Sequence, residues 1–282
     1  MQTENIASHG APTAKKAGLE MPTSTTDAAP GPAPLGQRRS ASELPLRYFD
    51  GASVLAFFAV DRAAAEAKID TRKYRLGMHW RGKAIVGMGF YQFRKSTIGS
   101  YNEVGIAVPV LPLGMAGPRS DVTSLTEMLR PAKSRRTGLY VLNLPVTTET
   151  GRAAGADHWG YPKFVTTIEW KMTGSEFSCQ VVDPIAAGES VVRLAGTLSR
   201  GLPGPAMDQV LYSDHDQKTL RTEIEIGGKT TVHTGSGLVL QVGKSAHPMA
   251  ENLRSLGLNG AKPALVMQIQ QFTSVLPAGV AV

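Results

Sequence analysis

The chain holds 282 residues, 42% of them hydrophobic and 19% charged, a balance that argues against a disordered or fibrous chain and allows a real apolar core. Its single cysteine, Cys179, excludes an internal disulfide framework and a cysteine-cluster metal centre. The net charge of +7 is modest. The densest basic stretch (Arg130, Lys133, Arg135, Arg136) has no interleaved aromatics and reads as a solvated loop rather than a nucleic-acid surface.

Residues 1–42 are rich in Ala, Pro, Thr, Ser and Gly and contain neither valine nor an aromatic ring. They cannot bury enough apolar area to offset their ordering entropy, which predicts a disordered extension followed by one folded domain over 43–282. No apolar run approaches the roughly 20 residues that span a bilayer. No apolar leader opens the chain, so the expectation is a cytoplasmic protein.

Within the domain, the run from Ser53 to Asp61 is apolar and reads as a buried strand or a short helix. Arg62 to Lys68 consists of strong helix formers. Strands are expected at 75–80, 84–93 and 101–110. Residues 111–137 change character. A glycine-bearing opening leads to a short helix over 121–129, capped by Ser120 or Asp121 and stopped by Pro131. An insertion of that length reads as a lid or an oligomer contact. Strands resume at 138–145, 166–172, 176–182, 190–198, 218–226, 230–232, 238–242 and 264–275, with one helix over 249–256 closed by Gly257. Many short strands, few helices and frequent turns predict a mainly β (α+β) fold, an antiparallel sheet closed or nearly closed into a barrel or cone.

No phosphate-cradling glycine loop is present, since Gly235-Ser-Gly237 lacks the spacing and the following helix. No histidine pair stands four apart on a helix. Asp214-His215-Asp216 places three consecutive residues that cannot all face one ion, so no metal ligands are assigned. The most concentrated segment is Asp157-His158-Trp159-Gly160-Tyr161-Pro162-Lys163-Phe164-Val165. A lone lysine among aromatic and apolar neighbours either snorkels from a strand edge or is buried. Burial disfavours the ammonium form, and a neutral amine can attack a ketone and form a Schiff base. The second candidate is Glu103, in Ser100-Tyr-Asn-Glu-Val-Gly105. Its alternation with Ile106, Val108 and Val110 leaves its face open.

Tyr161-Pro162-Lys163, preceded by Gly155-Ala-Asp157, resembles the lysine motif of the acetoacetate decarboxylase family. Tyr101-Asn-Glu103-Val-Gly105 resembles that family's Tyr-x-Glu-x-Gly, and residues 238–256 resemble its late strand and following helix. The resemblance implies a barrel fold without a cofactor, a homo-oligomer, and a lyase whose Schiff-base lysine is Lys163, with Glu103 beside it. It also implies a small keto-acid substrate. The sequence departs from the family pattern at several points. Phe164 replaces the second lysine found in many members, Ala156 and Asp157 replace an Arg-Glu pair, and Met88 occupies the register of an upstream glutamate. For the family's N-terminal arginine, Arg47 is the nearest residue.

On this reading Lys163 forms an iminium with the keto acid, and Glu103 orients the substrate or moves a proton. Tyr140, Trp159, Tyr161 and Phe164 keep the pocket dry. Aldolase-dehydratase chemistry with the same lysine is the alternative enzyme reading. A barrel that only binds a hydrophobic acid, with Lys163 as counter-ion, is the alternative without catalysis.

Overall fold

The computed structural model describes residues 42–118, 120–186 and 188–282. The extension expected over residues 1–42 lies outside them, apart from Ser42. Among the described residues, the strands in chain order are β1 (Leu46–Val60), β2 (Tyr74–Leu76), β3 (His79–Trp80), β4 (Lys83–Ser96), β5 (Tyr101–Pro112), β6 (Gly138–Val146), β7 (Lys163–Val165), β8 (Ile168–Thr173), β9 (Glu176–Val182), β10 (Ser190–Thr197), β11 (Leu202–Gly204), β12 (Gln209–His215), β13 (Lys218–Thr234), β14 (Val239–Val242), β15 (Leu265–Leu276) and β16 (Val280–Ala281). The helices are α1 (Arg62–Glu66), α2 (Asp121–Glu127), α3 (Glu149–Trp159) and α4 (Pro248–Ser255). No helix among these residues is long and apolar enough to cross a membrane.

Seven strands close into a barrel in the order β5-β4-β1-β15-β13-β12-β6, with β6 returning to β5. All neighbours in this ring are antiparallel except β6 and β12. Strand β7 also lies parallel to β6, so the sheet is mixed where an antiparallel one was expected. The reason is α3, which fills the connection from β6 to β7 and supplies the crossover that parallel pairing needs. A second sheet, in the order β14-β10-β9-β8, is antiparallel throughout.

The barrel wall buries both of its faces. Along β1, Leu46, Tyr48 and Leu55 belong to an inner cluster with Phe93, Tyr101, Leu144, Trp159, Met267 and Phe272. The alternate residues Val54, Ala56, Phe58 and Val60 belong to an outer cluster. There Phe177, Cys179, Val181, Leu194 and Leu240 of the second sheet, with Met249 and Leu253 of α4, cover Met88, Phe90, Val104 and Ile106 of the barrel. Phe90 and Phe177 meet edge to face, with ring centroids 5.9 Å apart. A strand covered on both sides reads as a continuous apolar run, which is why Ser53 to Asp61 looked equally like strand or helix.

Helix α1 starts where Asp61 Oδ1 accepts from the amides of Ala63 (2.9 Å) and Ala64 (3.2 Å). Helix α3 had no signal in the sequence reading, because Gly151 and Gly155 dilute its helix propensity. Its ends are nevertheless well marked. Thr148 Oγ1 accepts from Gly151 N at 3.2 Å, and Gly160 closes the helix at φ +67°. Asp157 and His158 are therefore helical and not on a strand. His158 Nε2 lies 3.0 Å from the Ser42 carbonyl oxygen. Strand β12 is a further element not among the expected strands. The two strands expected over 218–226 and 230–232 are one, β13, with a register shift between Gly227 and Lys229. Gly228 sits at that bulge with φ +131°.

The 111–137 segment holds α2, whose cap is Ser120. Met128 packs with Met78 and Ile85, beside Phe57 and Leu139. His79 Nδ1 and Asp121 Oδ1 lie 2.7 Å apart. Leu113, Val122 and Leu129 stay exposed.

Asp183 joins the turn after β9 to the start of α4. Its Oδ1 accepts from Ile185 N (2.8 Å) and Ala186 N (2.9 Å), and its Oδ2 accepts from Ser245 Oγ. These bonds favour the carboxylate, with Ser245 the strongest contributor, and hold its pKa at about 2 against an ordinary 3.8. A depressed folded-state value stabilises the fold above the unfolded value and is lost as pH falls through the folded one. Asp183→Asn is expected to melt below the parent protein at pH 7. The gap in Tm should narrow between about pH 4 and pH 2 in a pH series of thermal melts. A gap independent of pH would contradict this assignment.

Candidate active site

Lys163 enters the barrel because of three consecutive backbone features. Gly160 ends α3 in the left-handed region, where a Cβ would meet Asp214 O at 2.5 Å. Tyr161 N returns to Gly155 O at 3.2 Å, and Pro162 cannot continue the helix. Strand β7 then pairs with β6 so that Lys163 stands opposite Leu144. On the far side of β6, Glu103 of β5 stands opposite Val146. The two side chains meet on the inner face. Lys163 Nζ lies 2.5 Å from Glu103 Oε2, and the side chains are only 6% and 12% exposed. Lysine burial is thus settled against the snorkelling alternative. The face of Glu103 is settled too. Val104, Ile106, Val108 and Val110 point to the outer core, while Glu103, Gly105 and Ala107 line the interior.

The lysine stem crosses α3 at Gly155. A Cβ there would fall 2.3 Å from Lys163 Cε and 2.5 Å from Cδ. The only helix residue that leaves room for this stem is glycine. Lys163 Nζ also stands 5.9 Å from the centroid of the Tyr101 ring.

The pair opens on a cavity of ≈ 110 Å³. Among the described residues, Lys163 and Glu103 are the only charged side chains lining it. Most of the wall is apolar, with Leu46, Phe57, Leu139, Leu211, Ile224 and Phe272 as examples. Four phenols share it: Tyr48, Tyr91, Tyr101 and Tyr161. Burial raises the pKa of all four, and the negative charge of Glu103 adds to the effect; Tyr91 is pushed up to about 12. In all four, burial and the neighbouring carboxylate both favour the neutral phenol over the phenolate. Tyr48 and Tyr101 bond to each other at 2.7 Å. Trp159 stacks on Tyr161 (5.7 Å, 13°) and donates from Nε1 to Pro277 O at 3.2 Å.

The structure brings Lys163, Glu103, Trp159 and Tyr161 together and separates the other expected site residues from them. Phe164 follows Lys163 on the strand and therefore faces out, its ring 4.3 Å from that of His247. Tyr140 lies between the inward Leu139 and Val141 and turns outward, to within 5.4 Å of the Tyr74 ring. Arg47 lies between the inward Leu46 and Tyr48 and is exposed. Met88 borders the cavity, but its side chain belongs to the outer core, and the neighbouring positions are Gly87 and Gly89. Sequence reasoning overlooked Tyr48, Tyr91, Tyr101 and Gln209. For Tyr101 a signal existed, since it stands two residues before Glu103 and must share its face.

A family model for acetoacetate decarboxylase matches residues 31–230. The chain belongs to that family. No curated protein sequence matches it. Among solved structures, acetoacetate decarboxylase from Legionella pneumophila superposes with a TM-score of 0.61 at 16% identity, over 95% of this chain and 98% of that one. The enduracididine biosynthesis enzyme MppR, complexed with the condensation product of pyruvate and imidazole 4-carboxaldehyde, gives 0.58 at 12% identity, over 87% and 92%. An acetoacetate decarboxylase-like enzyme from Sphingomonas wittichii RW1 gives 0.58 at 10% identity, over 86% and 94%. At these identities the neighbours establish the acetoacetate decarboxylase-like fold. Family membership supports a related enzyme.

Gly155 offers a test of how the lysine is seated. In a helix, Ala is intrinsically more stable than Gly by about 1 kcal/mol, and the flexible lysine stem can yield. Gly155→Ala is expected to keep or raise Tm while displacing Nζ from Glu103. In a crystal structure of the variant, Nζ should stand more than ~3.5 Å from Glu103 Oε2, beyond hydrogen-bond reach. An unchanged contact would show that the stem does not need this passage.

Proposed function

We propose that this protein is a Schiff-base lyase acting on a small keto acid, with Lys163 as nucleophile and Glu103 as proton-transfer partner. The observation that carries the reading is the 2.5 Å contact between Lys163 Nζ and Glu103 Oε2 inside a cavity whose other described lining residues are uncharged. A carboxylate within hydrogen-bond distance of the amine is placed to accept its proton. The free amine then adds to the ketone carbon, and the carbinolamine loses water to give an iminium. In a β-keto acid iminium, the bond to the carboxylate breaks, its electron pair enters the iminium, and CO2 leaves an enamine. Protonation of the enamine carbon and hydrolysis by water release the ketone and restore the lysine.

The charge balance of the cavity supports decarboxylation. With the iminium and Glu103 neutralising each other, a substrate carboxylate would be a second anion with no guanidinium among the described lining residues to hold it. An unpaired buried charge is costly, and loss of CO2 removes it. The phenols and Trp159 keep the chamber dry. The chemistry calls on no cofactor, and the partner is the small-molecule substrate.

In a second reading the iminium loses an α-proton to Glu103 instead of CO2, and the enamine so formed attacks an aldehyde. This reading draws on the apolar wall, which suits an uncharged acceptor, and on the fold shared with MppR, whose bound condensation product joins pyruvate to an aldehyde. Assembly into a homo-oligomer and a cytoplasmic setting belong to this proposal as well. The exposed Leu113, Val122 and Leu129 of the inserted segment favour assembly.

Borohydride added with acetoacetate is expected to attach the substrate's carbon skeleton to Lys163, read by peptide mass spectrometry. Lys163→Arg should show no adduct and no turnover while keeping its circular dichroism spectrum. Glu103→Gln should still form the imine but more slowly. Evolved CO2 distinguishes the two enzyme readings. A ligand that binds without ever modifying Lys163 would leave only a binding barrel. Light scattering tests assembly, and a monomer at micromolar concentration would remove the oligomer from the proposal.

A further inference from the structure

Within the proposed Schiff-base site, one polar feature takes no part in the chemistry at Lys163. Tyr91 on β4 is the direct cross-strand partner of Glu103. Its ring lies along its own strand over Gly89, where a Cβ would sit 2.6 Å from the hydroxyl oxygen. Stacking on Phe93 (5.5 Å, 18°) and an edge contact with Phe272 (5.9 Å, 69°) fix the ring. The hydroxyl is thus displaced by one inward-facing position from Glu103, about 7 Å along the barrel wall. Across the cavity, Gln209 at the start of β12 donates from Nε2 to that hydroxyl oxygen at 3.2 Å.

This bond uses the phenol as an acceptor and leaves its hydrogen without a partner. Among the described residues, Gln209 Oε1 has no hydrogen-bond partner either. Both residues line the cavity. Spare donors and acceptors in an apolar chamber cost free energy unless a ligand engages them. The group that matches must accept from the Tyr91 hydroxyl and donate to the Gln209 carbonyl. A hydroxyl does both, whereas a ketone oxygen only accepts. An anion is disfavoured, because Lys163, the sole cation among the described residues lining the cavity, is already paired with Glu103.

We infer that Tyr91 and Gln209 form a subsite for an uncharged hydroxyl carried on the substrate's chain, remote from the carbonyl that meets Lys163. The inference rests on the Schiff-base reading and narrows the substrate to a hydroxylated carbonyl compound.

Two pairs of methyl ketones test it: 4-hydroxy-2-butanone against 2-butanone, and 6-hydroxy-2-hexanone against 2-hexanone. The readout is the ketone concentration giving half-maximal borohydride-trapped adduct at Lys163. For at least one pair, the hydroxyketone should reach it at about tenfold lower concentration, the gain of one or two hydrogen bonds. In Tyr91→Phe and in Gln209→Met that ratio should fall toward one, and the double variant should lose no more than either single one. Equal trapping within both pairs, or a ratio that survives both substitutions, overturns the subsite. If no ketone is trapped at all, the Schiff-base reading fails instead. The subsite is then judged by calorimetric binding of the same pairs to Lys163→Met protein, where the same preference and the same loss on substitution at Tyr91 are expected. Equal affinities there would overturn it.

Discussion

A lysine and a carboxylate held against each other inside a barrel are the constraint on which this site depends. Taking each ion out of water costs several kcal/mol, and their attraction offsets this only when the geometry is tight. Removing one partner from such a pair typically costs about 3–5 kcal/mol, because the other charge is left buried alone. The surrounding fold is arranged to meet that requirement. Glu103 is delivered by β5 and Lys163 by β7, with β6 between them, so three adjacent strands carry the two groups to one face. Gly155 clears the path of the lysine stem.

The same wall divides two environments. Its outer face is closed by the second sheet and α4, and that packing supplies most of the apolar core. Its inner face can then leave space open and tolerate an ion pair and four phenols. Anchoring is thus separated from chemistry by one strand's thickness. A substitution in the outer core acts on stability, whereas one at the inward-facing positions alters what the cavity accepts.

The polarity of the cavity links the family's fold to a particular use of it. An apolar chamber with a single ion pair rewards any step that removes charge. The phenols remain protonated because burial and the neighbouring carboxylate both oppose their ionisation. The interior therefore presents four neutral phenols around one buried ion pair.

Much of this was legible in the sequence. The density of strands and turns announced a barrel, Ser120 marked a helix start, and Tyr161-Pro162-Lys163 with Glu103 singled out the two charged groups that meet in the cavity. Three things were not legible. Helix α3 hides behind its glycines, and one of these, Gly155, is there to seat a lysine eight residues further on. The parallel pairing of β6 with β7 followed from that unseen helix. The facing of each residue was also undetermined, because a wall buried on both sides erases the alternation that would distinguish inside from outside. Tyr140 and Phe164 were therefore expected in the site as aromatics and Arg47 as the nearest match to a family arginine, and strand geometry turns each away from it. Tyr91 and Gln209 lie 118 residues apart, and only barrel closure brings them together. Local chemistry, in short, was written in the chain. Which side chains share one enclosed space depended on long-range strand pairing, and no local pattern encodes that.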